Sequence, residues 1–119
     1  VAAIRSLISL SYYSVIIHIR EVMTNDLNIP FAKGDNIHEL IPRYLKYSQL
    51  ADTEDLATSI SDFRERRNDA DYNMATKFSE FHKAWLGTAE DIIANFDKLN
   101  KKKLQAGILT YLRELGHIR

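Results

Sequence analysis

From Ala2 to about Asn25, apolar side chains recur on nearly every side of a helical wheel: Ile4, Leu7, Ile8, Leu10, Tyr12, Tyr13, Val15, Ile16, Ile17, Ile19 and Val22. A surface helix keeps one polar face, so a segment apolar all round must be enclosed by other elements or shared with a second subunit. This feature predicts a helical protein with a central first helix. The stretch Leu7 to Ile19 does not suit a bilayer. Ser9, Ser11, Ser14 and His18 interrupt it, Arg5 and Arg20 flank it, and a spanning helix needs about 20 apolar residues. Nor does it suit a secretory leader, since no small-residue cleavage site follows and the helical pattern continues through Met23. A cytoplasmic protein with no membrane contact is expected.

The rest of the chain repeats the helical period. Asn28 to Asn36 reads as a loop, from Pro30 and the Gly34-Asp35 pair. Helix resumes near Ile37, and Pro42 is expected to break or kink it. Asp52 or Thr53 caps a third helix, whose first turn carries Glu54 and Asp55 and which ends between Asn68 and Tyr72. Its stripe Leu56, Ile60, Phe63 continues onto Arg67, placing that arginine on the core-facing side. A fourth helix starts at a cap such as Thr76 or Ser79, with an apolar face of Phe78, Phe81, Trp85, Ala89, Ile92, Phe96 and Leu99. Asn100 separates it from a last helix with Leu104, Ile108, Tyr111, Leu112 and Leu115, ended by Gly116 in the left-handed cap position. Short connections make neighbours antiparallel, so the expectation is a single all-α domain over residues 1–119, an up-and-down bundle of four to five helices.

Composition removes several chemistries. The absence of cysteine excludes a disulfide framework, a thiolate metal site and a cysteine nucleophile. The four glycines are isolated, which excludes a nucleotide site of the glycine-loop kind. His18, His38, His82 and His117 are scattered, none in a metal-ligand spacing, so neither metal nor cofactor is expected. His18 reads as a buried or subunit-facing residue of the first helix. Sixteen basic residues balance sixteen acidic ones, so any binding of nucleic acid must be local. The run Lys101, Lys102 and Lys103 reads as a solvated helix start, and the aromatic stripe around Trp85 as core.

Reactive and anion-binding groups concentrate in Phe63 to Tyr72. Arg64, Arg67 and Asp71 share one helical face, where a guanidinium fork can grip a phosphate and a carboxylate can orient it. Tyr72 adds a phenol at the helix end. The same spacing fits an ordinary Arg67–Asp71 pair, four residues apart, that merely ends the helix. Spacing alone does not choose between the two.

The run Arg67-Asn68-Asp69-Ala70-Asp71-Tyr72, preceded by Phe63-Arg64, resembles the signature of the HEPN superfamily (higher eukaryotes and prokaryotes nucleotide-binding). There an arginine, often followed by asparagine, precedes a histidine by four to six residues, and one branch has Ala-Asp-Tyr instead. Ser11 to His18, with Tyr12-Tyr13, is similar to the Tyr-Tyr helix of those proteins, and Gly34 to Leu40, with His38, to their following turn and short helix. The family usually has a further helix before the Tyr-Tyr helix, which suggests a shortened amino end here.

The resemblance implies a helical bundle that dimerises, with the arginine motifs of two subunits meeting in a shared cleft. It implies RNA or a nucleotide as ligand and, in the active members, metal-independent endoribonuclease chemistry of the toxin, defence or RNA-processing type. Carried over, Arg67, Asn68 and Tyr72 are the catalytic candidates, with Arg64 and Asp71 binding substrate. Tyr72 stands where the more active branches have histidine, and an ordinary phenol, with a pKa of about 10, is a poor base at neutral pH. The alternative implied is a non-enzymatic helical module that pairs with a nucleotidyltransferase or an antitoxin partner.

Overall fold

Among the described residues five α-helices follow in order: α1 Ala2–Glu21, α2 Ile37–Tyr47, α3 Thr53–Tyr72, α4 His82–Asp97 and α5 Lys101–Glu114. They form an all-α bundle with no strand among the described residues. A computed structural model describes the backbone of residues 2–72 and 82–117 and the side chains of residues 9–68 and 86–117. The expected cap at Thr76 or Ser79 and the packing of Phe78, Phe81 and Trp85 lie outside the described residues. No helix is long and apolar enough to cross a membrane, among the residues described.

Helix α1 is central, as its apolar periphery predicts: α2, α3 and α4 all pack against it. Tyr12, Val15, Ile16, Ile19 and Met23 are buried, and they join Ile41 and Leu45 of α2, Ile60 and Phe63 of α3, Phe96 of α4 and Leu104 and Ile108 of α5 in one core. Each such side chain contributes about 1.5 to 3 kcal/mol on leaving water, before the entropy of ordering it is counted. On the same helix Leu10, Tyr13 and Ile17 stay outside that core, 67%, 37% and 43% exposed.

A π-helical turn, Val22–Asp26, ends α1. The Leu27 amide reaches back to the Val22 carbonyl at 3.1 Å, and Gln105 of α5 donates to the Leu27 carbonyl at 2.7 Å. The loop that follows closes on itself. Asp35 takes a hydrogen bond from the Ala32 amide at 2.7 Å and returns one from its own amide at 3.1 Å, around Gly34 at φ 91°. Asn36 then caps α2, its side chain accepting from the His38 amide at 3.1 Å, which fixes His38 in the first helical turn.

Of the break or kink expected at Pro42, no break occurs: α2 runs through it to Tyr47. Proline removes one intrahelical donor, but Ile41, Tyr44 and Leu45 are buried on that helix and their packing outweighs the loss. Between α2 and α3, Ser48 is 2% exposed and donates to Leu45 O at 2.8 Å and to Thr53 Oγ1 at 3.3 Å. Thr53 turns its hydroxyl back to Leu50 O rather than forward into the helix, while the Asp52 carbonyl accepts from the Leu56 amide.

Helix α5 packs against α2. Gly107 permits this, because a Cβ there would run into the backbone of Ser48. Lys101 is not a solvated side chain: its ammonium donates to Phe96 O, Asp97 O and Leu99 O at 2.9, 2.9 and 3.0 Å, closing the carboxyl end of α4. Lys102 and Lys103 are exposed. At the far end of α5 the Gly116 amide bonds Arg113 O and the His117 amide bonds Leu112 O, both at 2.9 Å, with Gly116 at φ 76°. Leu115 does not extend the apolar face. It lies in this cap and is 48% exposed.

Candidate functional site

The α3 stripe predicted from the sequence delivers Arg67 to the surface of α1. Leu56, Ile60 and Phe63 are buried, and one turn further on Arg67 is half-buried. Its guanidinium carbon lies 4.6 Å from the centroid of the Tyr13 ring and 5.4 Å from that of Tyr12. One terminal nitrogen donates to the Tyr13 hydroxyl at 2.9 Å. A planar cation set against two aromatic faces is attracted by their quadrupoles and held in one orientation.

Tyr12 is the buried centre of the cluster, 0% exposed, with Phe63 edge-on at 5.7 Å and Tyr13 edge-on at 5.8 Å. The ring of His38 stacks on it at 5.5 Å and 18°, and Tyr12 Oη and His38 Nδ1 are 2.8 Å apart. His38 also meets the Tyr13 ring edge-on at 5.7 Å. The imidazole and the guanidinium therefore lie against the same pair of rings, brought there by three helices.

Electrostatics tune the group. Burial pushes the Tyr12 phenol up to about 12, against the pull of Arg64 and Arg67. Burial lowers His38 from its ordinary value, and the positive charges of Arg64 and Arg67 lower it further. At neutral pH the cluster thus holds a neutral imidazole, a neutral phenol and two guanidinium ions.

Of the residues singled out in the sequence, Arg64 and Arg67 come to this place; Asn68 follows Arg67 on α3, and all three are half-buried. The side chains of Asp71 and Tyr72 lie outside the described residues. Sequence reasoning missed Tyr12, Tyr13 and His38 as members of the site. The available signals were the adjacent tyrosines, one facing inward and one outward on α1, and an Asn36 cap that puts His38 at a helix start. His18, read from the sequence as buried or subunit-facing, is not buried: Nε2 lies 2.7 Å from Asp97 Oδ1 at a half-exposed α1–α4 contact. His117 is exposed, and the His82 side chain lies outside the described residues.

No group of three or more metal-ligating side chains occurs among the described residues. A groove of about 570 Å³ between α3 and α4 is lined by Asp52, Asp55 and Asp91 with Lys98. Its carboxylates outnumber its cation, so it repels a phosphodiester rather than receiving one.

The fold and the site define an all-α bundle with an arginine–tyrosine–histidine cluster where α3 and the start of α2 meet α1. Comparison with models of protein families, with curated proteins and with solved structures gives no match.

Proposed function

We propose that this chain is a HEPN-type RNA- or nucleotide-binding protein that grips a phosphodiester through Arg67, with Arg64 and Asn68 beside it, and works as a homodimer. The observation that carries the reading is the seat of Arg67, its guanidinium set against the rings of Tyr12 and Tyr13 with a hydrogen bond to the Tyr13 hydroxyl. A cation ordered before the ligand arrives loses less entropy on binding, and its fork matches two phosphate oxygens. The resemblance of the Arg67 to Tyr72 run supplies the choice of RNA over other anions. In the enzymatic form, a metal-independent endoribonuclease, Arg67 stabilises the charge of the pentavalent phosphorane. Tyr72 or Asn68 positions the 2′-hydroxyl, and Asp71 orients the substrate.

The dimer is supported by α1, where Leu10, Tyr13 and Ile17 fall three and four residues apart and are exposed. Tyr13 belongs to both this strip and the arginine cluster, so a second copy docked there would bring two Arg67 sites together. The same strip favours a second reading, a non-enzymatic module that docks a nucleotidyltransferase or an antitoxin partner.

Fluorescence anisotropy of a labelled single-stranded RNA in excess chelator, alongside sedimentation of the protein alone, separates the two. A dimer that binds RNA more weakly as salt rises, and loses tenfold or more with Arg67→Ala but not with Arg43→Ala on exposed α2, supports the first. A monomer with no affinity for RNA supports the second.

A further inference from the structure

We infer that His38 is the group that transfers the proton at this site, taking it from the ribose 2′-hydroxyl while Arg67 holds the phosphate. The inference rests on the phosphodiester reading of the Arg67 cluster and adds to it a reacting group from a different helix. A guanidinium holds a phosphate but moves no proton near neutral pH, and an ordinary phenol is a poor base there. His38 is the imidazole that shares the Tyr12 and Tyr13 rings with Arg67.

The hydrogen bond from Nδ1 to the hydroxyl of fully buried Tyr12 fixes the ring and turns Nε2 away from it. Nε2 makes no hydrogen bond among the described residues. When Nδ1–H donates to Tyr12 Oη, Nε2 carries the lone pair and is a base. When the phenol donates to Nδ1, Nε2–H is an acid. Burial and the charges of Arg64 and Arg67 keep the imidazole unprotonated at neutral pH, the form a base needs. An arriving phosphate offsets those charges and lets the ring accept a proton more readily.

The step balances without a metal or co-reactant other than water. The 2′-oxygen forms a bond to phosphorus as its proton passes to Nε2, and the bond from phosphorus to the 5′-oxygen breaks. That oxygen takes a proton from water, and the imidazolium returns its own to solvent. The products are a 2′,3′-cyclic phosphate and a 5′-hydroxyl end.

The test is single-turnover cleavage of a labelled RNA in excess chelator by the full chain, His38→Gln and Arg67→Ala, across pH 5 to 9, with the end groups identified. Binding of a 2′-O-methyl oligonucleotide, which cannot react, is measured beside it. The expected result is a cyclic phosphate product and a fall of about a hundredfold or more in rate for His38→Gln. The acid limb of the pH profile disappears in that variant, and oligonucleotide affinity stays within about twofold. If His38→Gln does not fold, Tyr12→Phe, which leaves the rings packed and releases Nδ1, must itself slow the reaction and shift the acid limb.

Cleavage at the parent rate by His38→Gln, with Arg67 still required, overturns the role of His38 and leaves the phosphate site standing. Arg67-dependent binding with no cleavage by the parent protein does the same. Absence of both binding and cleavage in the parent protein sinks the phosphodiester reading itself.

Discussion

Tyr12 and His38 stand 26 residues apart in sequence and 2.8 Å apart at Oη and Nδ1, a bond that ties the central helix to the first turn of α2. Burial of this pair makes stability fall at both ends of the pH scale. Above pH 10 the unfolded chain loses the Tyr12 proton while the folded one keeps it up to about 12, so stability drops as pH rises through that window. The loss is roughly 1 to 2 kcal/mol once solvent screening at this helix junction is allowed for. On the acid side His38 is harder to protonate folded than unfolded. Stability therefore declines as pH falls below about 6.5 and levels off beneath the folded value. Tyr12→Phe removes its share of the alkaline limb, leaving that of Tyr44, which burial also raises. Urea titrations of both proteins at pH 8 and pH 11 measure the difference, and equal alkaline losses would contradict it.

Arg67 couples stability to binding through its seat on Tyr12 and Tyr13. Arg67→Ala removes a stacked cation and a hydrogen bond, for a cost of about 1 to 2 kcal/mol. Arg67→Lys retains the charge but not the planar fork, so it is expected to recover part of the RNA affinity and little of the stability. Thermal unfolding and anisotropy on the same three proteins check this. Full recovery of both by lysine would show that only the charge matters.

How much of this is legible in the sequence differs between elements. The α3 stripe from Leu56 to Phe63 is visible because period and burial coincide, and it carries Arg67 correctly toward the core. The cap at Gly116 is local chemistry and equally visible, whereas Asn36 reads from the sequence only as the end of a loop and Asn100 only as a separator between helices, although both are N-caps. Pro42 does not break α2 because its cost is local, whereas the burial that overrides it is tertiary. Lys101 misleads because its three carbonyl partners exist only once α4 has ended beside it. His38 is hidden for the same reason: its partner Tyr12 lies on another helix, and no spacing rule links them.

Two helical glycines are expected to respond with opposite signs to one added methyl group. Gly87 in α4 has open space where a Cβ would stand, with nothing within 4 Å, so Gly87→Ala gains helix propensity and raises stability by up to about 1 kcal/mol. At Gly107 the same change meets the Ser48 backbone, and the overpacking outweighs the propensity gain, for a net loss of about 1 to 3 kcal/mol. Denaturant midpoints of the two variants test this directly. A stabilised Gly107→Ala would mean that α5 moves off α2 at little cost.

Lys101 is the remaining case in which a charged side chain serves the fold. The last carbonyls of a helix lack intrahelical donors and carry its negative dipole end, so an ammonium that bonds Phe96 O, Asp97 O and Leu99 O together answers both needs. The same nitrogen lies 5.0 Å from the Phe96 ring centroid, against the core end of α4. Lys101→Met keeps most of the aliphatic stem and removes only the donors. It should cost about 1 to 2 kcal/mol, whereas Lys102→Met on the exposed side should change stability by less than about 0.5 kcal/mol. Amide hydrogen exchange would locate the loss in the last turn of α4. Equal effects at the two lysines would reduce Lys101 to one more solvated charge.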